Sequence, residues 1–268
     1  MHIQLTFESL NQEQKEILIA RLSDYCEGFE EEATSLKAIV AAENFDEELK
    51  ELFATIDLKP QVEKIEKQNW NRLWESNFEP VVVDDFVAVR ADFHESISNV
   101  EHEIIITPKM SFGTGHHATT FLMIQAMREI DFKNKSVFDF GTGTGILSIL
   151  SKKLGAGNIV ATDIDFWSVE NAAENFERNH VADIFLKQSG SEIQGNHFDI
   201  ILANINKNVL MATIPQLAKQ LKKDGILLLS GLLEPDENDI TGLCTGSSLK
   251  VEKFYSRKGW IALKFNKL

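Results

Sequence analysis

Apolar and polar positions alternate at the start of the chain. Ile3, Leu5 and Phe7 are spaced as on a strand with one buried face. QEQKEILIARL at 12–22 then reads as a helix. Phe29 lies in a short acidic segment with strand character, and KAIVAA at 37–42 reads as another strand. Leu49, Leu52, Phe53 and Ile56 have the i, i+3, i+4, i+7 spacing of a helix face. A last short strand is expected near Val62–Ile65. The order β-α-β-β-α-β is the ferredoxin-like split unit. The pattern therefore predicts a small N-terminal α+β domain over residues 1–67.

QNWNRLWESNFEP at 68–80 is aromatic and polar and reads as a linker with helical character, closed by Pro80. Trp70, Trp74 and Phe78 are read as packing residues. VVVDDFVAV at 81–89 and HEIIIT at 102–107 read as strands. From residue 136 the pattern alternates. SVFDF (136–140), NIVATD (158–163), FDIILAN (198–204) and GILLLSG (225–231) read as buried strands. ILSILSKKL (146–154), WSVENAAENFERN (167–179) and a segment near 213–222 read as helices between them. Such alternation predicts a parallel sheet covered on both faces. LKVEKFYSRKG and WIALKFN break it and predict an antiparallel hairpin. The second domain is thus expected over residues 81–268.

Charge adds one distinction between the two domains. Of the net −14, residues 1–68 carry −9, with 16 Asp and Glu against 7 Lys and Arg. An acidic surface disfavours nucleic acid and anionic membrane and admits a basic protein as partner. Cys26 and Cys244 are isolated thiols with no metal or disulfide spacing, no apolar run approaches membrane-spanning length, and the first residues show no basic leader with an apolar core. These features predict a cytoplasmic, monomeric protein with no metal.

The candidate chemistry sits in two small-residue loops. TPKMSFGTGHHATT at 107–120 precedes FDFGTGTG, where Gly141, Gly143 and Gly145 join a strand to a helix. The spacing is G-x-G-x-G, one residue tighter than the dinucleotide G-x-G-x-x-G. Asp163 ends the next strand, 22 residues after Gly141, where a carboxylate can accept from both ribose hydroxyls of a nucleoside. Without such a ligand the same pattern would be a glycine-rich turn followed by a helix-capping acid.

DFGTGTG and VATDID resemble the first two motifs of class I S-adenosylmethionine-dependent methyltransferases. That resemblance implies a Rossmann-like seven-stranded domain with order 3-2-1-4-5-7-6 and strand 7 antiparallel. SFGTGHHATT, NWNRLWESNFEP and ANINKN are further similar to the PrmA-type family, which methylates large-subunit ribosomal protein eleven. In this family the upstream loop covers the same cofactor as the first motif. The resemblance implies S-adenosylmethionine held by Phe112, Gly113, Thr114, Gly115, Thr119, Thr120, Gly141, Gly143, Asp163 and Asn204. It also implies lysine or N-terminal amines of the ribosomal protein as substrate and residues 1–67 as the recognition domain. Asn204 is the candidate catalytic residue, holding the amine; it can equally cap the next turn. His116 and His117 are open between a general base and loop residues bonded to backbone. Three features depart from the pattern: His116 stands for a threonine, Ala118 for a proline, and Asn206-Lys207-Asn208 for an N-P-like run after Asn204. Three other functions compete with this reading. One is a methyltransferase acting on another substrate, lowered for bases and amides by the missing N-P-P-[YF] run. The others are an NAD-dependent oxidoreductase, disfavoured by the glycine spacing, and a silent binding module, disfavoured by the intact Asp163.

Overall fold

A computed structural model describes residues 78–107, 113–181, 183–190 and 197–268, and before them 2–11, 14–15, 18, 22, 25–26, 28–32, 34–42, 44–45, 49, 53 and 59–65. The chain divides into two compact units, Met1–Ser76 and Asn77–Leu268. Trp70 and Trp74 of the predicted linker lie outside the described residues, whereas Phe78 is buried.

In the first unit, β1 (His2–Phe7) pairs antiparallel with both β3 (Leu36–Ala41) and β4 (Gln61–Ile65), and β2 (Gly28–Glu31) lies outside β3. The strand order is β2-β3-β1-β4. The alternation along β1 buries Ile3, Leu5 and Phe7 on one face, as its sequence predicts. Leu18 and Leu22, one helical turn apart, are buried in the same apolar cluster, as is Leu49. Phe53 meets Phe7 edge-on at 6.0 Å. Leu52, Ile56 and most of 12–22 lie outside the described residues.

The second unit opens with a three-stranded sheet. β5 (Val81–Val83) and β6 (Val87–Ala91) are antiparallel, and β6 and β7 (His102–Ile106) are parallel. VVVDDFVAV was expected as one strand, but a turn at Asp84–Phe86, with Asp84 at φ +51°, splits it into β5 and β6.

A seven-stranded sheet follows. Its strands are β8 (Ser136–Phe140), β9 (Asn158–Asp163), β10 (Phe185–Gln188), β11 (Phe198–Asn204), β12 (Leu221–Leu233), β13 (Leu249–Arg257) and β14 (Trp260–Lys267). They lie in the order β10-β9-β8-β11-β12-β14-β13, with only β14 antiparallel to its neighbours. The helices are α1 (Ala118–Met127), α2 (Ile146–Lys153), α3 (Phe166–Arg178), α4 (Lys207–Gln220) and α5 (Glu237–Gly246).

Successive residues of β11 point to opposite faces, so one strand feeds two cores. Ile200 and Leu202 join Leu122, Ile149 and Ala172 of α1, α2 and α3. Ile201 and Ala203 join Leu210, Ile214 and Ile240 of α4 and α5. Both faces are therefore covered, and each fully buried Leu or Ile contributes roughly 1.5–3 kcal/mol. Among the described residues, no helix is long and apolar enough to cross a membrane.

Candidate active site

The carboxyl ends of the parallel strands converge on a cavity of about 390 Å³. The turn after β8 supplies Gly141 and Gly143, and the end of β9 supplies Asp163. β11 and its exit supply Asn204, Ile205 and Asn206. Gly231 of β12, Trp260 of β14, His117 before α1 and Ser168 of α3 complete the wall.

The glycine turn is fixed at three points. The Thr162 carbonyl accepts from the Gly141 and Thr142 N–H groups, both at 2.9 Å. The carboxylate of Asp139, fully buried, accepts from the hydroxyls of Thr142 and Ser148, both at 2.7 Å and both on Oδ2. Burial pushes the Asp139 carboxyl up to about 6; the two hydroxyls oppose this, and nearby Asp163 adds to it. Asp163 is the third point. Its Oδ2 accepts from Gly143 N–H at 2.9 Å and its Oδ1 from Asp165 N–H at 3.0 Å. Asp163 is not the cap of α3. That role belongs to Asp165, whose Oδ2 accepts from Ser168 N–H at 2.9 Å.

The two glycine loops are tied to each other. Thr144 Oγ1 donates to the Gly113 carbonyl at 2.7 Å. Asn175 of α3 accepts from Thr107 N–H at 2.8 Å and donates to the Thr144 carbonyl at 2.8 Å. One buried amide thus bridges the start of the upstream loop to the glycine turn.

Within the upstream loop the roles divide. Thr120, buried at the start of α1, accepts at Oγ1 from Asn204 Nδ2 at 3.2 Å. Thr119 closes the helix start through His117 Nδ1, 2.8 Å from its hydroxyl. His117 reaches the cavity with its ring edge-on to Trp260, centroids 4.5 Å apart. His116 packs instead against Phe78 at 4.8 Å, and its Nδ1 lies 3.2 Å from the Thr114 hydroxyl. A Cβ on Gly115 would meet Val81 and Val89, so this glycine packs on β5 and β6. Thr114 and Gly115 are therefore not brought to the cavity wall, and Phe112 lies outside the described residues.

Asn204 ends β11 with its amide nearly sealed from solvent. Its Nδ2 bonds to Thr120, and its Oδ1 has no hydrogen-bond partner. An unpaired buried acceptor costs about 1–3 kcal/mol, so its persistence on a cavity wall points to a donor arriving with a ligand. The next residue, Ile205, is pinched between two glycines. A Cβ on Gly141 would lie 2.4 Å from Ile205 Cγ2, and one on Gly231 would lie 2.1 Å from the Ile205 carbonyl oxygen. Gly231 also has φ +88° and marks a bulge, where the β12–β14 register shifts between Ser230 and Leu232. Gly231→Ala is expected to lower unfolding free energy by about 1–3 kcal/mol through overpacking, read by chemical denaturation. An unchanged denaturation midpoint would show that Ile205 can move aside.

Asn175, Ile205, Gly231 and Trp260 were not singled out by the sequence reading. Only Gly231 carried a local signal, a glycine inside an apolar strand.

A doubly wound sheet in this order, with a glycine turn after its first strand and an acid ending its second, is the framework of a class I methyltransferase. The chain belongs to the ribosomal protein L11 methyltransferase (PrmA) family, whose model matches residues 4–268. It is 36% identical over 248 residues to a ribosomal protein L11 methyltransferase of Phocaeicola vulgatus, covering 89% of this chain and 88% of that one. Identity to the protein of the same description in Porphyromonas gingivalis is 40% over 200 residues, or 74% and 69% of the two chains. The crystal structure of a ribosomal protein L11 methylase from Lactobacillus delbrueckii subsp. bulgaricus is similar with a TM-score of 0.64 and 29% identity. The match covers 71% of this chain and all of that one.

Proposed function

We infer that this protein transfers methyl groups from S-adenosylmethionine to lysine and N-terminal amines of ribosomal protein L11. The observation that carries the reading is Asn204, a residue of the cavity wall that donates one amide hydrogen to Thr120 and whose buried Oδ1 has no partner. A neutral amine is a nucleophile with N–H groups to donate, and such an acceptor suits it. The cavity fits the cofactor. Its volume lies in the range of small-molecule sites, about 300–1,000 Å³. Asp163 spends one lone pair of each oxygen on backbone, which leaves acceptor capacity for ribose hydroxyls.

The bound cofactor supplies a methyl group already activated on a sulfonium. The protein's part is to align an amine with that carbon and exclude water. Lysine has a pKa near ~10.4 and an α-amine near ~8, so the amine must lose a proton before it attacks. Asn204 Oδ1 can accept an N–H of the neutral amine and so orient its lone pair. His117 and Trp260 wall the same space. Thr120 fixes the Asn204 amide, and Gly113 fixes Thr144 of the glycine turn.

Residues 1–67 are proposed as the recognition domain, of ferredoxin-like type, joined by the linker 68–80 to the catalytic domain 81–268. Their excess of acid suits a basic ribosomal protein. Incubation with labelled cofactor and purified ribosomal protein L11 should place label on that protein's amines, read by mass spectrometry. The kcat/KM should fall as salt rises, because attraction acts over only about 8 Å at physiological ionic strength. Label absent from L11, or a rate indifferent to salt, would count against substrate and domain role respectively.

A further inference from the structure

Next to the cavity, the start of α3 exposes two large aromatic side chains. Trp167 is 71% exposed and Phe166 50%, and their rings meet edge-on with centroids 5.5 Å apart. The helical repeat explains the exposure. Ser168, Asn171, Ala172, Asn175 and Phe176 form the buried face of α3, which leaves 166 and 167 on its outer side. No packing role accounts for them there. Ile164, 76% exposed, carries the apolar surface on to Asp163 at the cavity wall. Single exposed apolar residues are ordinary, but three within four positions at the mouth of a site form a patch.

The surrounding charge is acidic. Asp165 lies between Ile164 and Phe166, and Glu170 follows Trp167 by three residues, on the same side of the helix and exposed. Bonds from Ser168 hold the Asp165 carboxyl below its ordinary value, so it is fully charged at neutral pH. That charge also answers the positive end of the α3 dipole, which would otherwise repel a cation. An aromatic face beside carboxylates is suited to an ammonium or guanidinium group. The apolar stem of such a side chain can lie along Ile164 and Phe166.

We propose that Phe166 and Trp167, with Asp165 and Glu170, form a docking rim for a lysine- or arginine-bearing segment of the protein substrate, on the Asp163 side of the cavity. This rests on the reading of the site as one that methylates a basic protein. The rim is a specificity surface: it contributes to substrate capture, and no reacting atom touches it.

Trp167→Ala is a surface change and should leave the fold intact. Its expected effect is a rise of roughly tenfold in KM for ribosomal protein L11, with kcat and cofactor affinity unchanged. An unchanged KM overturns the proposal. Weakened cofactor binding also overturns it, since the rim would then belong to the cofactor. A second measurement is independent of turnover. Titrating the full chain with a lysine-rich peptide should change its tryptophan fluorescence, and Trp167→Ala should abolish that change. If the wild-type enzyme left L11 unlabelled while the peptide response still depended on Trp167, the substrate assignment would fail and the rim would stand. An identical response in the variant removes the rim.

Discussion

Asn204→Ala is expected to lower methyl transfer to the ribosomal protein by roughly a hundredfold or more while cofactor affinity stays near that of the wild type. Asn204 Oδ1 is an acceptor without a partner, on a residue of the cavity wall, and removing it frees the amine to rotate away from the methyl group. Losses of about 10² from small misplacements are usual where alignment is the main contribution to rate. Thr120 would lose only a hydrogen-bond donor and could rotate its own hydroxyl. Single-turnover kinetics with cofactor saturated separates alignment from binding. A variant that turns over at the wild-type rate would return Asn204 to a strand-end cap.

Asp163→Ala should produce the second large effect, this time in cofactor binding. It removes a charged acceptor from the ribose hydroxyls, and hydrogen bonds to charged groups are worth about 1.5–3 kcal/mol. That corresponds to a ten- to hundredfold loss of affinity, measurable by calorimetry. The same change also strips Gly143 N–H and Asp165 N–H of their partner, so the glycine turn loosens as the ligand contact is lost. Asp163→Asn divides the two roles only partly. An amide has one acceptor oxygen, and its NH₂ would face a backbone donor. Wild-type affinity in a folded Asp163→Ala chain would remove this residue from the cofactor site.

The legible elements were those with a strong period or a strong turn signal. NIVATD and FDIILAN are buried on both faces and bounded by polar or glycine-rich turns, and their strands have the bounds the pattern predicts. Three elements carried weaker signals. The β10 segment FLKQ is a four-residue edge strand, mostly exposed, with little apolar contrast. The α1 segment ATTFLMIQAM is apolar on nearly every side, so no face stands out. The α5 segment ENDITGLCTG is weak in helix formers and is held by Ile240 and Cys244 in the core. The site divides the same way. Gly141, Gly143 and Asp163 belong to one β-α-β unit and are readable as a motif. Trp260 and Gly231 belong to other strands, and only the sheet order brings them to Asn204. Asn175 looked like one more polar residue on a helix until its partners, Thr107 and Thr144, were placed on either side of it.

The position of β14 has a consequence for how the protein is made. The strand formed by 260–267 lies between β12 and β13, not at an edge, so the sheet cannot close around it in advance. A chain leaving the ribosome acquires Asp163, both glycine loops and Asn204 well before Trp260. Until those closing residues emerge, β12 lacks the neighbour that bonds to it from Ile226 to Leu233, and the bulge at Gly231 has nothing to form against. Pairings between segments distant in sequence are also the slow ones in folding. Translation therefore delivers Asp163, both glycine loops and Asn204 first, and the wall of the cavity is completed only once residues 260–267 have emerged.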